Sequence, residues 1–87
     1  MSALMVSSKY KIIEIETRGE VHIMVDSQYN NIKADRVIVD EGVEARLFGT
    51  IKEKLIIKKG ARVNLHGTIK GTIENQGELY IFQGNEN

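Results

Sequence analysis

The two histidines are the side chains of this chain best suited to catalysis or metal binding, and they lie far apart in the sequence. Neither His22 nor His66 belongs to a Glu-x-x-His or His-x-x-x-His motif, the spacings that bring two ligands to one metal ion. The chain also contains no cysteine, which excludes thiolate metal sites and disulfide bonds. We therefore predict no catalytic residue, no cofactor and no metal site.

His66 has a second feature, which is its distance from an aromatic residue. A general base needs a partner and a pocket, but His66 follows Phe48 by eighteen residues. If the chain is wound so that residues eighteen apart lie over one another, the imidazole stacks on the Phe48 ring. We therefore expect His66 to make a surface contact.

Oppositely charged residues follow the same spacing, since three acids each precede a base by eighteen residues. The pairs are Asp40 and Lys58, Glu41 and Lys59, and Glu44 and Arg62. Stacked coils would place each acid beside its base, in exposed pairs that contribute about 0.2 to 1 kcal/mol each. This charged corner either specifies the register of the stack or binds a partner.

The elements that would position these residues follow from the apolar repeat. Val37-Ile38-Val39 and Gly49-Thr50-Ile51 are echoed eighteen residues later by Leu55-Ile56-Ile57 and Gly67-Thr68-Ile69. Within each copy the apolar residues fall mostly on odd numbers, as in a strand with one buried face. The pattern predicts an all-β fold, a single-stranded β-helix with about eighteen residues per coil and roughly three to four coils.

Stepping through the sequence by eighteen gives the expected inward columns. They are Gly19, Val37, Leu55 and Ile73; Val21, Val39 and Ile57; Val25, Val43, Ala61 and Leu79; and Tyr29, Leu47 and Leu65. The step slips once, because Ile32 rather than Lys33 is the expected partner of Ile51 and Ile69, so we predict a bulge between residues 30 and 35.

Glycines mark the expected corners of each coil. Gly42 and Gly60 should take a positive φ, with Gly77 in the same role in a shifted position. Gly49 and Gly67 have the inward parity and should mark tight bends without room for a side chain.

Three regions are expected along the chain. Residues 1 to 18 form an N-terminal segment and a strand, either a cap or a partial coil, and the turn Arg18-Gly19-Glu20 folds the strand of residues 9 to 17 against residues 21 to 26. Residues 19 to 82 form the solenoid domain, and residues 83 to 87 form a polar tail.

Charge and composition narrow the partners. Twelve basic residues balance twelve acidic ones, so there is no overall field to attract a polyanion, and the lysine-rich stretch from residue 52 to 70 lacks interleaved aromatics. Nucleic acid is therefore not an expected partner. The absence of cysteine and of a secretory or membrane-spanning segment in the sequence leads us to expect a cytoplasmic protein.

The short aliphatic triplets, the glycine corners and the recurring Gly-Thr-Ile, which returns as Gly71-Thr72-Ile73, resemble the bactofilins over residues 19 to 82. These are bacterial cytoskeletal proteins with one β-helical domain that polymerises without nucleotide. The resemblance implies stacking through apolar terminal coils. Some members of that family also have a short apolar N-terminal segment that touches a membrane, and Leu4, Met5 and Val6 are the only candidates for such a segment here.

Two surfaces are therefore candidate interfaces. The end-stacking candidates are Val21, Ile23 and Val25 near the first coil and Ile73, Leu79 and Ile81 near the last. The outward apolar candidates have even numbers: Ile38, Phe48, Ile56, Tyr80 and Phe82.

These surfaces suit two functions. The first is a structural protein that self-associates into homo-oligomers or filaments. The alternative is a small inhibitor, such as an immunity protein against a toxin or a protein that blocks a defence complex, binding through an outward face.

An enzymatic function is a third reading. A six-residue spacing that runs from Val37 through Gly49 to Ile73 resembles the hexapeptide-repeat acyltransferases. Those enzymes need a long coil, a protruding loop and a positioned histidine, and the sequence gives no sign of these. We therefore predict that the protein is not an enzyme.

Overall fold

The computed structural model describes residues 10 to 82, which contain seven β-strands and no helix. The strands are β1 (Lys11–Ile13), β2 (Glu16–Ile23), β3 (Ser27–Val39), β4 (Glu44–Ile57), β5 (Arg62–Ile69), β6 (Thr72–Asn75) and β7 (Glu78–Phe82). No helix among these residues is long and apolar enough to cross a membrane.

Every strand pair is parallel, which in a chain without crossover helices requires the backbone to wind in coils. The long strands β3 and β4 each bend around a coil. β1 and β2 pair with different parts of β3, while β6 and β7 pair with β4 and β5. The result is a β-solenoid of about four stacked coils, as the repeat predicts. It measures 46 × 32 × 24 Å.

The step of eighteen is confirmed in the middle of the stack and is wrong at both ends. β4 pairs with β5 and β6 at a step of eighteen throughout, as in Leu47 with Leu65. β2 pairs with β3, and β5 with β7, at a step of sixteen. Both short coils lose two residues at the same corner: three residues (24–26 and 76–78) connect columns that five residues (40–44 and 58–62) connect in the middle coils.

This change of step corrects three of the expected columns. Val21 pairs with Val37 rather than Val39, and Gly19 therefore leaves the Val37 column. Leu79 pairs with Val63 rather than Ala61. Val25 lies in the turn between β2 and β3, where 56% of its surface is exposed, and does not join Val43.

The predicted irregularity between residues 30 and 35 is confirmed, but its partner assignment is wrong. β3 has one extra residue between Tyr29 and Ile32 relative to β4, and one fewer between Ala34 and Arg36. Ile32 consequently pairs with Gly49, and Ala34 is the residue that pairs with Ile51. The two shifts cancel, so the register returns to eighteen after Arg36.

Five inner columns fill the axis of the solenoid. From the first coil to the last they are Lys11, Ser27, Ala45, Val63 and Leu79; Ile13, Tyr29, Leu47, Leu65 and Ile81; Arg18, Ala34, Ile51 and Ile69; Val21, Val37, Leu55 and Ile73; and Ile23, Val39, Ile57 and Asn75. In the middle coils nearly all members of these columns are buried, and they form one continuous hydrophobic core.

Two kinds of glycine corner shape each coil. Gly42 and Gly60 have φ of 71° and 78° in the turns after β3 and β4, as predicted. Gly49 and Gly67 are stacked so tightly that a Cβ on Gly67 would lie 2.0 Å from the carbonyl oxygen of Gly49. Gly77 differs from the prediction: its φ is not positive, and it is required because a Cβ would lie 2.3 Å from the Ala61 oxygen.

The N-terminal strands are a coil and not a hairpin. β1 and β2 both run parallel to β3, and β2 continues without a turn through Arg18, Gly19 and Glu20. Within the described residues, solenoid pairing therefore includes β1 from Lys11 onward, and the expected boundary between residues 18 and 19 falls inside β2. The predicted polar tail (83–87) and the membrane-contact candidates Leu4, Met5 and Val6 lie outside the described residues.

Candidate functional site

His66 is enclosed in a ladder of three aromatic rings on the outside of the solenoid. The β4–β5 and β5–β7 registers stack Phe48, His66 and Phe82 in one outward column. The imidazole lies 4.4 Å from the Phe48 ring and 4.6 Å from the Phe82 ring, within 10° of parallel to both. The expected stacking on Phe48 is confirmed, and the sequence analysis missed Phe82 because it assumed a step of eighteen.

The described residues contain no group of three or more histidine, aspartate or glutamate side chains placed to hold a metal ion. His22 lies exposed on β2, in the outward column of Ile38 and Ile56. The two histidines therefore belong to different columns, and each has apolar column neighbours.

The charged corner forms in part. Lys58 Nζ lies 3.8 Å from Asp40 Oδ1. Within the described range Glu41 and Lys59 form no ion pair, and both are exposed at the tip of the turn. Glu44 and Arg62 are neighbours in register, as predicted.

The closest partner of Arg62 lies one coil further on. Arg62 Nε donates to Glu78 Oε1 at 3.0 Å, and the Tyr80 hydroxyl donates to the same oxygen at 3.2 Å. The hydrogen bond and charge of Glu78, followed by the charge of Glu44, raise the pKa of the Arg62 guanidinium above its usual value. The column of charged residues thus continues to β7, where Arg62 binds the outward side chain of Glu78.

A shallow groove of about 460 Å³ runs along this corner. Its lining includes Gly42, Gly60 and Gly77, and the polar side chains along it are Glu44, Arg62, Gln76 and Glu78. Because Arg62 and Glu78 bind each other, the polar groups of the groove are largely engaged within the chain.

The outward apolar candidates separate into two groups. Ile38, Ile56 and Phe48 are half-buried, in columns shared with His22 and His66. Tyr80 and Phe82 are 47% and 48% exposed. The structure therefore does not place the five residues in one exposed apolar face, since the open members both lie on the terminal strand β7.

The end-stacking candidates also separate, and the difference lies between the two ends. Val21 and Ile23 are 0% and 1% exposed, so they are not available for contact. In contrast, Ile73 and Ile81 are 40% and 43% exposed, and Leu79 is partly buried. We call β6 and β7 the C-terminal edge, and β1 and β2 the N-terminal edge.

Sequence reasoning missed three charged residues of the N-terminal edge. Lys11, Glu16 and Arg18 stand in register with the buried Ser27, Ile32 and Ala34, so they occupy inward positions. Arg18 and Glu16 form an ion pair there. For Glu16 and Arg18 the signal that could have found them is the change of parity in β3, where the buried Ile32 and Ala34 have even numbers, as their partners in β2 do.

The polar pair also acts on the core beneath it. Tyr29 is buried in the second coil, and its pKa is raised by loss of solvent, with the negative charge of Glu16 adding to this and the positive charge of Arg18 opposing it. The N-terminal edge therefore has charged residues at three of its inward positions, whereas the inward residues of β6 and β7 are all uncharged.

Comparisons with known proteins found no matching family model, no matching curated protein and no matching solved structure.

Proposed function

We propose that this chain is a non-enzymatic structural protein, a bactofilin-like β-helix that self-associates through the C-terminal edge of its solenoid. The observation that carries the proposal is the state of the inner columns at β6 and β7. Ile73 and Ile81, which continue the buried Leu55 and Leu65 columns, are 40% and 43% exposed.

Two physical costs arise at this edge. Among residues 10 to 82, β6 and β7 each pair on one side only, as β1 and β2 do at the other end, so their outer backbone N–H and C=O groups have no strand partner within this range. The same edge exposes the cut end of a hydrophobic core, whose burial stabilises by about 25 cal/mol per Å². Joining another β-edge removes both costs, because backbone groups pair and aliphatic side chains leave water together.

The aromatic ladder supports the same surface. Phe82 has one ring face on His66 and is 48% exposed. Tyr80, which is two residues away on the same outward side of β7, is 47% exposed. Large, half-exposed aromatic residues are typical of interface centres. The C-terminal edge therefore offers aromatic residues outside and aliphatic residues inside.

The inhibitor reading is less well supported. It depends on one broad outward face, but Ile38, Ile56 and Phe48 are half-buried. Ile38 and Ile56 also lie in a different outward column from Tyr80 and Phe82. The two residues that are open belong to the C-terminal edge. We therefore favour self-association, with the outward residues of β7 contributing to it.

The test is the mass of the protein in solution as its concentration rises. Light scattering and sedimentation velocity should show a monomer that converts to a larger species, without nucleotide. Ile81→Lys should abolish this conversion, because it places an ammonium group in the inner column of the edge.

Ile15→Lys is the matched control, since Ile15 is 69% exposed but lies beside the N-terminal edge. This variant should associate like the wild type. A wild-type protein that stays monomeric at the highest attainable concentration would refute the proposal, as would equal loss of association in both variants.

A further inference from the structure

We infer that self-association joins two copies through their C-terminal edges and stops at a closed pair, because the N-terminal edge carries charges at three inward positions where a stacked coil would have to be apolar. This inference rests on the proposed function and specifies the partner as a second copy in a tail-to-tail orientation. It distinguishes this chain from one that grows into a filament.

A continuous solenoid would extend as a head-to-tail stack of copies. In that arrangement β1 of one copy would cover β7 of the next copy. Both strands belong to the same side of the solenoid, which is otherwise formed by the start of β3, the start of β4, and β5. If each inner column continued from one copy into the next, Lys11 would lie over Leu79. A lysine amine would be taken out of water against an aliphatic column without a carboxylate in that column, which is strongly unfavourable.

Strand β2 of the N-terminal edge leads to the same result. Arg18 continues the column of Ala34, Ile51 and Ile69, and Glu16 continues the column of Ile32. Stacking another coil there would bury an ion pair whose arginine side chain is 63% exposed, and the desolvation of such a pair commonly exceeds the attraction within it. Inward-pointing charges are a known way to protect a sheet edge from pairing.

The apolar residues of the first coil do not reopen this edge. Val21 and Ile23 are buried to 1% exposure or less, and Ile13 is partly buried. Met24 and Val25, which are more than half exposed, lie in the turn that follows β2 and not in an inner column. Ile12 is 46% exposed but outward, in the column of Gln28, and Ile15 is 69% exposed between β1 and β2. Among residues 10 to 82, the N-terminal edge therefore offers no inner-column apolar side chain as exposed as Ile73 or Ile81.

The C-terminal edge fits a second copy of itself. Ile73, Leu79 and Ile81 are inward and uncharged, and Asn75 fills the remaining column. Two copies related by a twofold axis would pack this set of aliphatic residues against the same set in the second copy. β6 and β7 would then meet strands of the second copy in antiparallel orientation. An interface in which a surface binds the same surface of a second copy is complete with two copies. Each C-terminal edge is then buried, and the charged N-terminal edges do not bind a third copy.

Site-specific cross-linking tests the orientation, and the chain is suited to it because it contains no cysteine. Tyr80→Cys and Ile12→Cys form a matched pair: both residues lie in the outward column of Gln28, Arg46 and Asn64, at opposite edges, and they are 47% and 46% exposed. Under mild oxidation, Tyr80→Cys should form a disulfide-linked dimer. Ile12→Cys should remain monomeric under denaturing conditions, and mixing the two variants should give no mixed dimer.

A gain-of-function variant tests the charged edge. Replacing Lys11 with Val, Glu16 with Leu and Arg18 with Ile should allow species larger than a dimer to form, with far-UV circular dichroism confirming that the variant is folded. If this variant does not fold, the cysteine pair alone decides the question.

The outcomes separate the inference from the proposed function. A dimer that is the largest species and that cross-links through Tyr80→Cys supports both. Wild-type polymers longer than a dimer, or disulfides through Ile12→Cys, overturn the closed pair and leave self-association intact. A strictly monomeric wild type overturns both.

Discussion

The middle coils and the C-terminal edge use the same columns but differ in what covers them. Leu55 and Leu65 are completely buried, whereas Ile73 and Ile81, the next members of the same two columns, are 40% and 43% exposed. The side chains are similar, so the difference arises from the neighbouring coil and not from the residue. A coil of this solenoid is therefore stabilised by the two coils that flank it, as expected for a repeat structure.

The largest expected effect is the loss of stability when a charge is placed in a buried column. Leu55→Asp places a carboxylate in a fully buried column and should destabilise the fold by about 4 kcal/mol or more, enough to unfold a domain of this size. Ile73→Asp, in the same column, should cost about 1 kcal/mol or less, because its carboxylate stays hydrated. Urea denaturation followed by circular dichroism, at a concentration where the protein is monomeric, measures both. Similar losses in the two variants would contradict the comparison.

The next effect concerns the corners. Gly67→Ala should destabilise by about 2 kcal/mol or more, since its φ is 155° and the added Cβ would lie 2.0 Å from the Gly49 oxygen. Gly42→Ala is the control: it has a positive φ of 71° but nothing within 4 Å of the new Cβ, so it should cost only about 1 to 2 kcal/mol of backbone strain. Thermal unfolding distinguishes close packing from conformation if the midpoints fall in this order.

A smaller loss of stability is expected when the aromatic ladder on the outer surface is interrupted. His66→Ala removes the central ring of the ladder between Phe48 and Phe82 and should cost about 1 to 2 kcal/mol, as aromatic pairs are worth about 0.5 to 1.5 kcal/mol each. His22→Ala, on an exposed outward position, should change the free energy of unfolding by about 0.5 kcal/mol at most. Equal values would mean that the ladder does not stabilise the last strand.

The smallest effect is confined to alkaline solution. Because burial raises the pKa of Tyr29 in the folded protein, its contribution to stability is complete below the ordinary tyrosine pKa of about 10 and is lost as the pH rises through the higher folded value. Wild-type stability should therefore fall relative to Tyr29→Phe above about pH 10. Urea titrations of the two proteins across this range test it, and a constant difference between them would show that the Tyr29 hydroxyl is not desolvated.

The sequence predicts the middle of the fold well because identical residue classes recur there at a constant step. Val37-Ile38-Val39 over Leu55-Ile56-Ile57 and Leu47 over Leu65 follow directly from that repeat. Gly49 and Gly67 could also be assigned to bends, since they stand where parity requires an inward side chain. The irregularity of β3 was detectable because parity inverts between Tyr29 and Ile32.

The ends could not be predicted in the same way. Steps of sixteen and eighteen are both even, so each keeps Leu79 and Ile81 on the inward face, and Leu79 finds an apolar partner in Ala61 by one step and in Val63 by the other. Hydrophobic parity therefore does not choose between them. The choice depends on a corner that is two residues shorter. Glu16 and Arg18 could not be assigned to inward positions because they have even numbers, and inward residues have odd numbers in most of the repeat.

The uniform step of eighteen between β4 and the strands after it has a consequence for how the molecule could be lengthened. A duplicate of residues 44 to 61, spliced in after residue 61, would meet compatible neighbours above and below, with glycines again stacked on glycines at the bends. Each such insertion would add one rung, about 4.8 Å, to the axis. Inserted copies would thus move the two ends of the solenoid apart in fixed increments without altering either end.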